Sequence, residues 1–263
     1  MDIAVLGSTG TIGRRIADLA EAEGHTVRRV SRADGTDVTT ASGLKRAVRG
    51  AEVVIDALNH VTLSRRKAVS WFGEIAMQVA SAAAAAGVQR ILCVSIYGVN
   101  NQAVARGYGY YAGKAAQEQA YRDGAVPVTI IESTQWFELI PTVLAAASAG
   151  PIAVLPTMRM ALVSADRVAE LVVEEAVRQV GSEERHQNRA ISIRGAQELN
   201  TRQAVNVWLR EVGHVTGQRP RQVWQLPYLG RAIASGGLIP PGGIVDPQTL
   251  QGWVQAGGHT RLK

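Results

Sequence analysis

Residues Ile3-Ala4-Val5-Leu6-Gly7-Ser8-Thr9-Gly10-Thr11-Ile12-Gly13 decide how this chain is read. The apolar run stops at a glycine, which is the pattern of a strand buried on both faces. Beyond the glycines, Ile12, Ile16, Leu19 and Ala20 recur at helical spacing as far as Glu23. Strand, glycine turn and helix in that order are the setting in which a glycine pattern predicts a dinucleotide site. Gly7 serves the tight turn, Gly10 leaves the approach to a pyrophosphate open, and Gly13 lets the helix lie close on the strand. The helix start offers free N–H groups and a partial positive charge to phosphates. With Thr9, Thr11 and Ile12 these glycines form the expected cofactor cradle. Their spacing is Gly-x-x-Gly-x-x-Gly rather than Gly-x-Gly-x-x-Gly.

Composition sets the bounds. The 263 residues are enough for one α/β domain with a smaller appendage, and 46% hydrophobic content can fill its core. Cys93 is the single cysteine and lies in an apolar run, so no disulfide framework forms and a reducing, cytoplasmic setting is expected. Cys93 reads as a small buried hydrophobe rather than a nucleophile. The net charge of +6 comes almost wholly from scattered arginines, with no run longer than Arg65-Arg66-Lys67. No helix-turn-helix, metal-ligand or RNA-binding pattern accompanies it, so neither a nucleic acid nor a metal is expected. The first strand starts at residue 2 and leaves no room for a signal peptide. Ala68 to Ala86 is the longest apolar helix candidate, and Glu74, Gln78 and two serines make it a poor membrane span.

The second strand is Thr26 to Val30, and the residue past it faces the adenosine ribose in a dinucleotide fold. Ser31-Arg32 stands there, and an arginine fork suits a 2′-phosphate, so NADP(H) is expected over NAD(H). The alternative gives the ribose to Asp34 and leaves Arg32 in solvent. The third strand, Val53-Val54-Ile55, is followed by Ala57-Leu58-Asn59-His60 at its carboxyl end, where open α/β sheets bind ligands. Ala57, Leu58 and Asn59 are expected at the cofactor. His60 is a substrate contact, an acid–base group or a plain loop residue. A helix over Arg65 to Ala86, a fourth strand Ile91 to Ser95, a helix ending near Arg122 and a fifth strand Pro127 to Ile131 complete a parallel, doubly wound alternation.

Tyr110 and Lys114 are four apart on a predicted helix and share one face. An ammonium beside a phenol favours the phenolate, which suits proton exchange with a carbonyl or alcohol oxygen. Ser95, at a strand end 15 residues before Tyr110, supplies a candidate orienting donor. Tyr111 reaches Lys114 equally well by spacing.

These stretches together resemble the atypical short-chain dehydrogenase/reductases of the NmrA-like, NAD(P)H-binding branch. The marks are Gly7 to Gly13, Val94-Ser95-Ile96-Tyr97-Gly98-Val99, Tyr110-Tyr111-Ala112-Gly113-Lys114, Glu132-Ser133-Thr134-Gln135-Trp136-Phe137 and Val163-Ser164-Ala165-Asp166-Arg167-Val168-Ala169. The likeness runs over about residues 1 to 180. It implies a Rossmann-type α/β fold and an NADP(H)-dependent oxidoreductase acting on a small carbonyl, quinone or enone. It also implies that Asp37-Val38 contacts adenine, although Asp37 equally suits a turn. Further, it implies that Thr134 lies by the cofactor, where the ammonium of Lys114 is expected to hold the nicotinamide ribose. Tyr97, Gln135, Trp136 and Phe137 would line a substrate pocket; for Trp136 and Phe137 the alternative is a plug under the C-terminal part.

Glu132 stands where relatives often carry arginine, and the tetrad asparagine has no clear match. Two other readings follow: a redox-inactive NADP sensor, or an isomerase or cyclase on the same fold. The expected division is a Rossmann domain over 1–150, its sheet completed by about 188–195, and a substrate or lid region over 151–263. Within that region Arg189–Arg194 is expected as an edge strand and Val223–Tyr228 as irregular chain. A last helix is expected to start at Asp246-Pro247. A monomer or homodimer with a small-molecule substrate, away from membranes, is expected.

Overall fold

Ile3 to Leu6 are buried, as a central strand requires. They form β1 (Asp2–Leu6), which pairs in parallel with β2 (Thr26–Val30) on one side and β3 (Val53–Asp56) on the other. Helices α1 (Thr11–Ala22) and α2 (Ala41–Val48) connect them. Next come α3 (Arg65–Ala85), β4 (Arg90–Ile96), α4 (Gln102–Gly107), α5 (Gly109–Arg122) and β5 (Val128–Ser133). The chain continues through α6 (Leu139–Ala147), β6 (Ser148–Ala149), β7 (Ile152–Pro156), β8 (Arg159–Met160) and α7 (Ala165–Val177). It ends with β9 (Arg189–Gly195), β10 (Leu199–Asn200), α8 (Thr201–Glu211), β11 (Gln222–Leu226), α9 (Arg231–Ala234), β12 (Ile244–Asp246) and α10 (Leu250–Gln255). This computed structural model describes residues 1–62, 64–178, 187–215 and 220–261. Among the described residues no helix is long and apolar enough to cross a membrane.

Seven strands make one parallel sheet in the order β12-β9-β5-β4-β3-β1-β2, the Rossmann-type arrangement. Two small sheets, β10-β8 and β11-β7-β6, accompany it. Three expectations are corrected. Arg189–Arg194 is not at the sheet edge, because β12 pairs outside β9. Val223–Tyr228 is not irregular over its length, because Gln222–Leu226 pairs with β7. Asp246 ends a strand, and the helix after it starts at Leu250 behind a Thr249 cap. Strand β11 shows three exposed positions, two of them Trp224 and Leu226, so it lacks the apolar-in, polar-out contrast that marks a strand.

The chain forms two compact units, each assembled from three stretches. The first takes Met1–Ser95, Gly109–Glu132 and Asp166–Ile191, and the second Ile96–Tyr108, Ser133–Ala165 and Ser192–Lys263. In the first, Leu6, Val30, Val54, Val79, Ile91, Cys93, Tyr121 and Ile130 belong to one buried cluster. Helices α3 and α5 pack closely, and a Cβ at Gly113 would stand 2.7 Å from the Phe72 ring and 3.0 Å from Ala68. The alanine-rich composition allows that approach. Arg15 binds Asp166 at the start of α7 (2.7 Å), and Arg90 donates to the Ala176 carbonyl at its end (2.7 Å). In the second unit a reciprocal capping box of Asn200 and Gln203 starts α8.

Burial pushes the Cys93 thiol far above its usual range, and burial beside Asp56 does the same to the Tyr121 phenol. Both groups are therefore held neutral in the fold. A raised folded-state pKa means stability is complete below the unfolded value and is lost as pH climbs past it. Urea unfolding should show stability falling above about pH 9, where an unfolded cysteine ionises. Cys93→Ala should delay that fall to about pH 10, where tyrosine ionises. A flat profile across this range would contradict the buried neutral state.

Candidate active site

Within the first unit the glycine turn is packed from two sides. Gly7 has a positive φ of 80°, and its N–H donates to the Val30 carbonyl at 2.8 Å. A Cβ there would lie 2.8 Å from the Ala57 carbonyl oxygen. A Cβ at Gly13 would lie 2.2 Å from the Gly7 carbonyl oxygen, inside any permitted contact. Gly10 differs: its Cβ would meet only the Gly7 oxygen, at 3.3 Å, with ordinary extended backbone angles. Thr9, Gly10 and Thr11 are exposed, while Ile12 and Gly13 are buried. Gly10 is the N-cap of α1 and brings no side-chain hydrogen bond, so the N–H groups of that first turn lack an intrahelical or capping acceptor. An anion fits here, with open approach and backbone donors in place.

The stretch after β2 brings both signs of charge. Arg32 is exposed. The Asp34 carboxylate accepts from the Ser31 hydroxyl at 2.5 Å and from the Ser8 hydroxyl at 3.4 Å, so it lies against the glycine turn. Asp37 accepts from the Thr39 N–H (2.9 Å) and hydroxyl (2.7 Å). Those bonds, the backbone one first, hold its carboxyl below the usual range, with Arg32 adding a smaller effect. This is the turn role that the sequence leaves open for Asp37, and Val38 beside it is buried.

At the end of β3, Asp56 is 1% exposed and accepts three hydrogen bonds: Leu58 N–H at 2.8 Å, Gln117 Nε2 at 2.7 Å and Tyr121 OH at 2.6 Å. Ala57 is buried, Leu58 half-buried and Asn59 exposed. His60 stacks on Trp71 at 4.8 Å between ring centroids. From Trp71 a row of edge contacts runs through Phe72 to Tyr110 and Tyr111. Tyr110 is half-buried and Tyr111 is buried.

Lys114 does not stand free in a cleft. It is 3% exposed, donates to the Val94 carbonyl at 2.7 Å and to Gln117 Oε1, and lies 5.3 Å from the centre of the Phe72 ring. Ser95 is also buried, and its hydroxyl donates to Glu118, which Arg122 meets at 3.0 Å. To serve a ligand, Ser95 would have to exchange that bond.

The second unit holds the remaining predicted residues. Tyr97 is half-buried, and its N–H donates to the Ser133 carbonyl. Thr134 is buried with its hydroxyl on the Ala161 carbonyl. Trp136 donates its indole N–H to Ser133 at 3.0 Å. Phe137 is buried 5.5 Å from Trp253, a packing position. Gln135 is 8% exposed, and among the described residues neither its amide nitrogen nor its oxygen has a partner. A buried amide left open on both sides is costly unless a ligand or water completes it.

Sequence reasoning missed Asp56, Gln117, Glu118 and Tyr121. The available signal was polar residues at Lys114, Gln117, Glu118 and Tyr121, three, four and seven apart, on the inward stripe of one helix.

Two glycines separate packing from binding. Gly13→Ala should cost about 1–3 kcal/mol in urea unfolding, because the added carbon overlaps backbone. Gly10→Ala should unfold close to the parent yet weaken dinucleotide binding at least tenfold, about 1.4 kcal/mol, by calorimetric titration. Equal affinity for Gly10→Ala and the parent would rule out this turn as the phosphate site.

Comparison with known proteins bears on the fold and the family. No curated protein sequence matches the chain. Among solved structures, MoeE5 in complex with UDP-glucose and NAD matches at TM-score 0.71 and 15% identity, over 99% of each chain. The pinoresinol-lariciresinol and phenylcoumaran benzylic ether reductases match at 0.67 and 16%, over 97% of each chain. A short-chain dehydrogenase/reductase superfamily protein from Agrobacterium tumefaciens with bound NAD matches at 0.65 and 16%, over 99% of this chain and 97% of that one. At such identities the likeness establishes the fold. The sequence profile of the NAD(P)H-binding family matches residues 7–179, about two thirds of the chain, and the chain belongs to that family.

Proposed function

We propose that the protein is an NADP(H)-dependent reductase of a small carbonyl, quinone or enone. The observation that carries this is the open first turn of α1 behind Gly10, where a side chain is sterically tolerable and yet none is present. The residues fit a dinucleotide. Backbone N–H groups from Thr11 onward would hold its pyrophosphate, Arg32 would fork onto a 2′-phosphate, and Ala57 to Asn59 would flank it. The bound cofactor would supply the hydride.

Tyr110 is the proton donor in this reading. It is the more accessible of the two tyrosines, at the start of α5, and its phenol would protonate the substrate oxygen. Lys114 spends two of its three N–H bonds on Val94 and Gln117, which leaves one for a ribose hydroxyl.

A second reading, a redox-inactive NADP sensor, is favoured by one observation: the Ser95 hydroxyl and the Lys114 ammonium are both bound internally. Incubation with NADPH and a panel of carbonyls, quinones and enones separates the two. Turnover should appear, and Tyr110→Phe should lower kcat at least a hundredfold with unchanged NADPH affinity. Retained NADPH binding with no turnover on any class would leave the sensor. Arg32→Ala should weaken NADPH about tenfold and NADH hardly at all; unchanged NADPH affinity would leave Arg32 in solvent and give the ribose to Asp34.

A further inference from the structure

We infer that Asp56 is a positioning residue of the cofactor site: one carboxylate oxygen fixes the Leu58 turn, and the other orients the Gln117 amide toward Lys114. The inference rests on the reading of residues 57–59 and Lys114 as cofactor-facing. Asp56 ends a strand whose other three residues are apolar, and it is itself 1% exposed. A carboxylate so placed is tolerated only with full hydrogen bonding. Its Oδ1 takes the Leu58 N–H at 2.8 Å and thereby shapes Asp56-Ala57-Leu58 into a turn. That turn directs the Ala57 carbonyl at Gly7, where a Cβ would be only 2.8 Å away.

The second oxygen sets a polarity. A carboxylate only accepts, so Gln117 must present its NH2, as it does at 2.7 Å. Its carbonyl is then left for Lys114, which only donates. Reversing the amide would set NH2 against ammonium and carbonyl against carboxylate. Acid, amide and ammonium thus read one another along α5, and Lys114 is held with two bonds made. Tyr121 is a second donor to the same oxygen, at 2.6 Å, and touches neither Leu58 nor Lys114 in this chain of bonds. It therefore supplies the control, because losing it removes a bond from Asp56 without disturbing the orientation of Gln117.

The variants are Asp56→Asn and Tyr121→Phe, compared with the parent at a temperature where all are folded. The amide introduced by Asp56→Asn must turn its NH2 toward at least one donor, so the Leu58 turn or the Gln117 amide is lost. Calorimetric titration with NADPH and NADH should show a Kd at least tenfold higher for Asp56→Asn. Tyr121→Phe, although less stable than the parent, should stay within about twofold. Equal Kd changes for the two variants, or no change for Asp56→Asn, would overturn the positioning role and leave a merely structural one. Should the parent bind neither dinucleotide, the function proposed above and the cofactor-site role of Asp56 both fail, and a stability cycle decides the coupling of Asp56 to Lys114 alone. Asp56→Asn should then shift the urea midpoint less in a Lys114→Met background than in the parent. Additive shifts would overturn the coupling.

Discussion

Three backbone segments crowd together at Gly7, and most of the first unit follows from that crowding. The turn after β1, the first turn of α1 at Gly13 and the turn after β3 at Ala57 come so close that two side chains are forbidden. Gly7 and Gly13 are thus demanded by packing alone, before any ligand is considered. Gly10 is not. A methyl group there would meet one oxygen at the limit of tolerance, and the residue lies at the surface. Packing explains two glycines of the motif, and the third is left to the ligand proposed above.

Polar residues inside this unit follow a different logic from the apolar cluster around them. Small residues on α3 and α5 bring the helices close, which leaves little room for water beside Lys114, Gln117, Glu118 and Tyr121. These groups satisfy one another and the strand ends: Asp56 from β3, Ser95 and the Val94 carbonyl from β4. A network of this kind contributes less to net stability than to a single arrangement, because removing any partner strands a buried charge. The aromatic row from His60 to Tyr110 lies in the same unit and brings a loop residue and the proposed proton donor to two ends of one hydrophobic contact path.

What the sequence made legible was local. The glycine turn, the strands from β1 to β5, helices α1, α2, α3 and α5, and the pairing of Tyr110 with Lys114 on one helix all rest on spacing within a few residues, whereas the short α4 falls in a stretch that reads as a loop. What it hid was long-range. Asp56 meets Gln117 and Tyr121 across 61 and 65 positions, and Ser95 meets Glu118 across 23. No period in the chain announces such pairs. Asp34 reaching Ser8 is similar: from sequence it is a loop acid, and only the folded turn sets it against the glycines. Strands β11 and β12 were missed for a chemical reason. One exposes apolar side chains, and the other is three residues long behind Pro240-Pro241-Gly242-Gly243. The open amide of Gln135 cannot be seen in a sequence at all, since lacking a partner is a property of the folded surroundings.

The order in which stretches contribute to the two units bears on how the protein is born. The first unit includes Asp166–Ile191, so its core stays incomplete while the intervening chain is still being translated. At about 5–20 residues per second the ribosome needs several seconds to travel from Glu132 to Ile191. Throughout that interval the unit lacks α7, whose Val168, Val172 and Ala176 are buried in the finished fold. Vectorial synthesis therefore makes the first unit wait for its last stretch before its core can close.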